Sequence, residues 1–162
     1  MNGFDPKSHR VVAQRTFEDL TIGEKFVLPS RTITEANFAA FQTVSCDNHP
    51  IHYDEEYCRA QGHEGLLAHG LQVLSFTAAG AGLFPHAIGE ALIGFVEVQA
   101  KFLKAVYAGD TLYPALAVTE LQPQRTTGVV TMRATVHNQK SELVLDGRHV
   151  YLLRLKVSSS TQ

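Results

Sequence analysis

The order of apolar and polar residues divides the chain into a mainly helical first half and a second half of strands. From Leu71 to Leu83 almost every position is apolar or small, which predicts one long helix buried on nearly all sides. Beyond Pro85 the period changes to two. Val96, Val98, Ala100 and Phe102 alternate with Glu97, Gln99 and Lys101, which predicts a half-buried strand.

Further strands follow the same alternation, and turn residues separate them. The pattern predicts strands over 112–119, over 130–136 and over 143–157, with turns at 109–110 and 139–141. Pro114 suggests an edge or a bulge in the first of these strands, because proline cannot donate to a sheet ladder. Asp146-Gly147 is expected to interrupt the last one.

The first half of the chain carries the signals of short elements. Residues 26–33 read as a strand, and Thr34 is placed to cap a helix that the proline at position 50 ends. Asp54 is placed to cap a second short helix, closed by Gly62. Residues 1–16 lack any periodicity and are expected to form a mobile or surface-draped arm, which leaves 17–162 as a single domain. The layout predicts an α+β architecture in which an antiparallel sheet curls around a long central helix.

Composition restricts the function classes. The 162 residues carry a net charge of -2 without blocks of like charge, so neither a nucleic-acid nor a membrane-surface partner is expected. Cys46 and Cys58 form no CxxC pair, and the N-terminus is polar rather than signal-like; both observations favour a cytoplasmic protein. The apolar run is too short to span a bilayer.

Candidate chemistry is concentrated in two short stretches. Asp47 and His52 stand on either side of a proline-containing turn, and His69-Gly70-Leu71 opens the predicted central helix. A carboxylate and an imidazole next to a helix N-terminus are suited to proton transfer beside a polarised carbonyl. Taken singly, an aspartate at the position of Asp47 is more often a turn-capping residue, and His52 is compatible with a partly buried histidine hydrogen-bonded to backbone.

A metal site is the competing interpretation of the same region. Asp47 and His52 lie close in sequence to three further histidines, His49, His63 and His69. These donors suit zinc or iron, but neither an HExxH nor a CxxC spacing is present. The sequence therefore predicts no metal and no other cofactor.

Three segments resemble a known family. The run Ser45-Cys46-Asp47-Asn48-His49-Pro50-Ile51-His52 resembles the signature of the R-specific enoyl-CoA hydratases, or MaoC-like dehydratases. Ala68-His69-Gly70-Leu71 is similar to the family's second landmark. Residues 102–106 followed by 109–112 are similar to its later strand-turn-strand segment. The resemblance runs from about residue 17 to residue 157.

The resemblance implies a hotdog fold and a homodimer whose sheets join edge to edge, with the site near the subunit interface. It implies that Asp47 and His52 are the catalytic pair and that the Gly70 N–H binds the thioester oxygen. Further substrate contacts are expected from His69, Pro50, Ile51 and Leu71. The chain departs from the family pattern at Cys46, which replaces a glycine, at His49, which replaces an asparagine, and at Ala78, which replaces a serine found in some members.

The function that follows is a cofactor-independent hydro-lyase. It would reversibly hydrate a 2-enoyl-CoA, or a related thioester, to the 3-hydroxyacyl thioester by Asp/His acid-base catalysis on one bound water. Two alternatives remain open: an acyl-CoA thioesterase on the same fold, and a non-catalytic acyl-CoA binding module.

Overall fold

An antiparallel sheet covers a series of short helices in the computed structural model, which describes Gly3 and residues 5–156. The strands follow the order β1-β4-β5-β6-β3, and β2 also pairs with β4. Their bounds are β1 (Lys25–Val27), β2 (Arg31–Thr32), β3 (Leu92–Phe102), β4 (Thr111–Pro123), β5 (Thr127–His137) and β6 (Leu143–Arg154).

The strands of the second half confirm most of the alternating pattern. Val130, Met132, Ala134 and Val136 on β5 are completely buried, because they face the helices from the centre of the sheet. The expected interruption at Asp146-Gly147 is wrong, since β6 runs through it and pairs with both β5 and β3. Gly147 serves close approach instead: a Cβ atom there would lie 2.5 Å from the Gln99 carbonyl oxygen.

The predicted first strand is split in two opposite Pro114. β1 pairs with residues 115–117 of β4 and β2 with residues 111–112, and the link between β1 and β2 is one residue longer than the stretch of β4 that it faces. Pro114 lies within that irregularity, where its carbonyl still accepts the Leu28 N–H. Pro114 thus lies opposite the break between β1 and β2, whereas the register shift within the β4–β5 pairing lies between Val118 and Glu120.

β3 is more exposed than the prediction of a half-buried strand allows. Val96, Val98 and Phe102 keep 58%, 42% and 50% of their surface. The reason is position, because β3 is the last strand of the sheet and pairs with β6 alone within the described part of the chain.

The short helices before the sheet begin where the capping residues predict. Thr34 and Asn37 form a reciprocal capping box at the start of α1, and the Asp54 side chain accepts the Tyr57 N–H at the start of α2. Gly62 follows α2 with a φ of 81°, as its role in closing that helix requires. The helices are α1 (Glu35–Ser45), α2 (Glu55–Ala60), α3 (Gly70–Ser75) and α4 (Phe84–Ile88), with 3-10 turns at Pro6–Ser8, Phe17–Asp19, Pro50–His52, Ala79–Ala81 and Gly89–Ala91.

The long central helix expected over 71–83 is wrong in its length. α3 ends at Ser75, and the amides of residues 76–78 bond to carbonyls three residues earlier. The hydroxyls of Ser75 and Thr77 also bond back, to the carbonyl oxygens of Gln72 and Leu74 at 2.6 and 2.7 Å. Such bonds compete with helical ones, and the glycines at 80 and 82 weaken continuation further.

The core is formed by two apolar clusters on the helix-facing side of the sheet. One joins α4 and the 3-10 turn at 79–81 to the middle of β4 and β5 and to the C-terminal end of β6. The other joins α1, α2 and α3 to the opposite ends of the same strands. α3 thus lies over one half of the sheet, with its first residue at the rim.

A buried polar chain ties the C-terminal side of α3 to the sheet. Thr77 and His149 are 1% exposed and Tyr151 is 3% exposed. The Thr77 hydroxyl donates to Leu74 O, so the hydrogen between Thr77 Oγ1 and His149 Nε2, 3.0 Å apart, must come from His149. Tyr151 then donates to His149 Nδ1 at 3.0 Å. Burial lowers the pKa of His149 to about 4 and raises that of Tyr151, so both are neutral, as this chain requires.

The N-terminal arm is in contact with the domain at its end. The Gln14 side chain donates to His86 O, the Arg15 N–H donates to Ala87 O, and the Arg15 guanidinium pairs with Glu24. The boundary at residue 16 stays a prediction. Val157, the expected end of the last strand, lies outside the described residues. No helix among the described residues is long and apolar enough to cross a membrane.

Candidate active site

The turn after α1 presents the Asp47 carboxylate. α1 ends when Cys46 adopts a left-handed conformation with a φ of 59°, a geometry that favours glycine. The Ser45 hydroxyl then accepts the Asp47 N–H at 3.2 Å, and Asp47 Oδ1 accepts the His49 N–H at 3.4 Å. The Asp47 side chain remains 53% exposed. Among the described residues, the carboxylate thus accepts one long hydrogen bond, from its own loop.

His52 faces Asp47 from the 3-10 turn at Pro50–His52. Its Nδ1 lies 2.7 Å from Leu67 O, which can only accept, so Nδ1 carries a hydrogen. Its Nε2 lies 3.9 Å from Asp47 Oδ2. His52 is 9% exposed, in contrast to the carboxylate that it faces.

The surroundings keep His52 neutral at neutral pH. Burial lowers the pKa of His52 below its usual 6.5, His69 and His49 lower it further, and Leu67 O and Asp47 act in the opposite direction. Because Nδ1 holds the hydrogen, the Nε2 lone pair points towards the Asp47 carboxylate. Two proton acceptors therefore face each other without a hydrogen between them.

A single water molecule fits this arrangement. Two hydrogen bonds of about 2.8 Å from one oxygen to acceptors 3.9 Å apart meet at roughly a right angle, close to the angle between the O–H bonds of water. Asp47 and His52 can therefore bind the same water, each accepting one of its hydrogens.

His69 lies behind this pair. Its ring stacks on that of His52, with 3.5 Å between centroids and 21° between planes, and its Nε2 is 3.1 Å from Asp47 O. His69 is 2% exposed, so it presents almost no surface to a ligand. This differs from the substrate contact expected from the sequence.

Gly70, the next residue, lies at a cleft of about 380 Å³. The ring of Phe102 covers it, because a Cβ at Gly70 would meet that ring at 3.2 Å. The described residues that line the cleft are Leu67, Ala68, Gly70, Val73, Phe102, Leu103, Lys104, Ala105, Val106 and Val144. Asp47 and His52 are not among them, so the carboxylate, the imidazole and the cleft are neighbours rather than one cavity.

The other expected substrate contacts are dispersed. Ile51 is partly buried and packs against the core cluster of α1, α2 and α3, while Pro50 is half-buried. Leu71 is 65% exposed and projects away from that cluster. A larger apolar cavity of about 590 Å³ lies between the β1–β2 connection and residues 80–83, and it includes none of the residues around Asp47.

The side chains of Asp47, His52 and His69 are candidate metal ligands, but their geometry argues against a shared ion. Asp47, His52 and His69 each place one potential ligand atom within 4.8 Å of the others. Two stacked imidazoles, however, direct their in-plane lone pairs side by side, whereas ligands of one ion must converge on a point about 2.1 Å from each nitrogen. One of the rings would have to turn before both could bind an ion.

Comparison with known proteins gives the family and the fold of the chain. The model of the MaoC like domain matches residues 17–140. The chain belongs to this family. It is 28% identical to an (R)-specific enoyl-CoA hydratase of Rhodospirillum rubrum over 138 residues, which cover 79% of this chain and 90% of that protein.

Solved structures show the same fold for this MaoC-like chain. A protein of Archaeoglobus fulgidus described as a monoamine oxidase regulatory protein superposes with a TM-score of 0.83 at 30% identity, over 91% of this chain and 99% of that one. A conserved hypothetical protein of Mycobacterium tuberculosis with a double hotdog fold superposes with a TM-score of 0.74 at 25% identity, over 92% of this chain and 47% of that one. The fold is a hotdog fold, as the sequence resemblance implied.

Sequence reasoning missed the residues that build the cleft from the sheet side. The stretch 102–106 resembles a family landmark, but alternation along a strand does not show which of its residues reach α3, so the sequence predicts no role for them. Leu67 was missed as well. Its carbonyl oxygen orients His52, and a backbone acceptor leaves no signal in the side-chain pattern.

Proposed function

We propose that this MaoC-like chain is a hydro-lyase that reversibly adds water to a 2-enoyl thioester and forms the 3-hydroxyacyl thioester. The observation that carries the proposal is the pair of acceptors, Asp47 Oδ2 and His52 Nε2, 3.9 Å apart beside the start of α3. Membership of the MaoC-like family and the similarity to the R. rubrum hydratase support the same reaction.

Asp47 and His52 can together carry out the proton transfers that hydration requires. His52 Nε2 takes a proton from the bound water, and the hydroxide adds to C3 of the enoyl group. The imidazolium then returns that proton to C2, so that one water is consumed and both side chains end as they began. Asp47 holds the second O–H of the water and stabilises the transient imidazolium. Positioned acid/base groups of this kind contribute roughly 10²–10⁴-fold each.

Gly70 is proposed to bind the thioester oxygen through its N–H. It is the first residue of α3, where amides have no partner within the helix, and it lies at the cleft. α3 has six residues, so the individual N–H matters more than any helix dipole. The amide would stabilise the enolate oxygen that forms when hydroxide adds to C3.

Crotonyl-CoA tests the reaction and separates the alternatives. Loss of the enoyl absorbance without release of free thiol, and formation of a 3-hydroxyacyl product, is the expected result. Release of free thiol would instead establish a thioesterase. Binding of CoA esters without turnover, across a panel of enoyl chain lengths, would establish a binding module.

We also propose a homodimer joined through β3. This end strand carries exposed apolar side chains along its length, including Ile93, Phe95, Val98 and Phe102, and its outer backbone groups are available for pairing. Pairing with a second copy across a two-fold axis would satisfy those groups and cover the apolar surface. Light scattering should give twice the mass of one chain, and a monomer at micromolar concentration would contradict this assembly.

A reducing compartment is proposed for the protein. Cys46 is exposed and Cys58 is buried, and both thiols are free. Cytoplasmic proteins keep such thiols reduced. Fractionation of cells with an antibody to the chain would test the assignment.

A further inference from the structure

His69 occupies the N-cap position of α3 but does not cap the helix. N-cap side chains ordinarily accept an amide hydrogen from the first turn, and the His69 ring makes no such bond. The ring is turned the other way, towards residues that come 17 and 22 positions earlier in the chain. Its contacts in that direction therefore need an explanation other than helix capping.

Those contacts join three separate segments. His69 stacks on the His52 ring at 3.5 Å and hydrogen-bonds to the Asp47 carbonyl oxygen at 3.1 Å. From α1, Phe41 and Phe38 pack against the other sides of the ring, with centroids at 5.0 and 6.3 Å. The aromatic rings of α1 thus fix His69, and His69 in turn touches both members of the proposed catalytic pair.

His69 is the donor in its hydrogen bond with the Asp47 carbonyl oxygen. The Asp47 carbonyl can only accept, so His69 Nε2 carries the hydrogen of this bond. The other ring nitrogen, Nδ1, is buried and has no hydrogen-bond partner among the described residues. A buried polar atom without a partner costs stability, so we attribute the presence of the ring to its two contacts rather than to stability.

Asp47 depends on this contact more than His52 does. The side chain of Asp47 is half-exposed, and its carboxylate accepts a long hydrogen bond of 3.4 Å from the His49 N–H. Its main chain is held by the bond from its own N–H to Ser45 Oγ at 3.2 Å and by the bond from the buried His69 ring. His52, in contrast, is also held by its bond to Leu67 O.

We propose that His69 is a positioning residue, which holds the His52 ring by stacking and the Asp47 main chain by a hydrogen bond, and so sets the separation of the two proton acceptors. This rests on the proposed function, since it assigns His69 a part in the Asp47–His52 reaction. Because Gly70 follows directly, the same residue also fixes the pair relative to the amide that is proposed to bind the thioester oxygen.

Two substitutions separate the contacts of the ring. His69→Phe keeps a flat ring against His52 and removes the donor to Asp47 O. His69→Gln keeps a nitrogen donor and removes the stacking surface. We expect kcat for enoyl hydration to fall about 10–100-fold in His69→Phe with KM changed less than threefold, because a displacement of about 1 Å at a catalytic group costs up to 10²-fold. His69→Gln should recover part of that loss.

A double mutant tests whether the loss passes through Asp47. In an Asp47→Asn background, His69→Phe should cause little further loss, since residues that act as a unit are non-additive. His149→Phe is the matched control, because it replaces an equally buried histidine on the far side of α3. It should lower the melting temperature while leaving kcat of the folded protein within about twofold, as expected for a residue away from the pair.

NMR on the free protein provides a readout that does not need turnover. The amide of Asn48 belongs to the same peptide group as Asp47 O, so its resonance should shift in His69→Phe and return towards wild type in His69→Gln. The midpoint of the His52 titration should rise in His69→Phe, because His69 is lost while Asp47 and His49, the other titratable groups facing His52, remain.

The outcomes are distinct. Wild-type kcat, or a lowered kcat with unchanged Asn48 and His52 resonances, would overturn the positioning role. Losses that simply add in the double mutant would overturn it as well. If the wild-type protein hydrates no 2-enoyl thioester, the proposed function fails, and the NMR comparison still decides whether His69 holds Asp47 and His52 in place.

Discussion

The two sides of α3 each contain a buried histidine next to polar neighbours, and the two groups differ in how their hydrogen bonds are completed. On the C-terminal side, both ring nitrogens of His149 have partners, Thr77 and Tyr151, and all three side chains are buried. On the N-terminal side, Asp47 is half-exposed and faces a second acceptor, and His69 keeps a nitrogen without a partner among the described residues.

The same residue type thus serves two purposes in one chain. A completed buried network rigidifies and specifies a core. An incomplete one beside a cleft retains acceptors that only a water or a substrate can satisfy, which is the condition for proton transfer. We therefore assign His149 a structural role and His52 a role in proton transfer, although burial lowers the pKa of both.

The largest effect is expected for the Asp47–His52 pair. Asp47→Asn and His52→Ala should each lower kcat by about 10²–10⁴-fold, and the double mutant should be little worse than the poorer single mutant. Melting temperatures should change only modestly, because the pair lies at the edge of the core. Steady-state kinetics together with thermal melts check this. Full activity in Asp47→Asn would leave the turn-capping interpretation of that residue.

Acid should destabilise the fold through His149, on the C-terminal side of α3. The pKa of His149 is about 4 in the folded protein and near 6.5 when unfolded, so the neutral ring is compatible with the fold above pH 6.5. As the pH falls from 6.5 towards 4, the unfolded state takes up a proton that the folded state refuses, and stability is lost. The full effect is on the order of 3 kcal/mol.

Urea unfolding at pH 7.5 and pH 4.5 measures this loss. His149→Phe should be less stable at pH 7.5 and should lack most of the additional loss at pH 4.5. An equal loss in wild type and variant would assign the acid sensitivity to other groups, such as the carboxylate of Glu24, whose pKa is lowered by its pairing with Arg15.

A methyl group at Gly70 should affect function more than stability. In Gly70→Ala the new Cβ would lie 3.2 Å from the ring of Phe102, which is half-exposed and can turn aside. We expect kcat/KM to fall about tenfold, which is about 1.4 kcal/mol in the transition state, with a change in melting temperature of a few degrees at most. Phe102→Leu in the same chain should recover little activity, because the methyl group would still occupy the cleft.

The smallest effect is expected at Thr77. Thr77→Val keeps the shape and removes the hydroxyl that links Leu74 O to His149. The free energy of unfolding should fall by about 1–2 kcal/mol, the cost of leaving a buried donor unpaired, and kcat of the folded protein should not change. Thr77→Ser, which keeps the hydroxyl, is the control. A fall in kcat in Thr77→Val alone would contradict the division between the two sides of α3.

Local signals in the sequence were sufficient for the elements whose cause is local. The capping residues Thr34 and Asp54 predicted the starts of α1 and α2, and the alternation of apolar residues predicted β5. The same kind of reasoning failed over 71–83. The apolar composition of residues 71–83 indicated that the segment is buried. The helix nevertheless ends at Ser75, where the hydroxyls of Ser75 and Thr77 bond back to carbonyl groups of the preceding turn.

Residues a few positions apart were enough to predict the strands β3 to β6, the starts of α1 and α2, and the turn from Asp47 to His52. The tertiary structure was needed to show that His69 stacks on His52, that Leu67 O sets the tautomer of His52, and that His149 bonds to a threonine 72 residues away. The physical reason is that the protonation and exposure of a side chain follow from its neighbours in space. Periodicity along the chain does not record those neighbours.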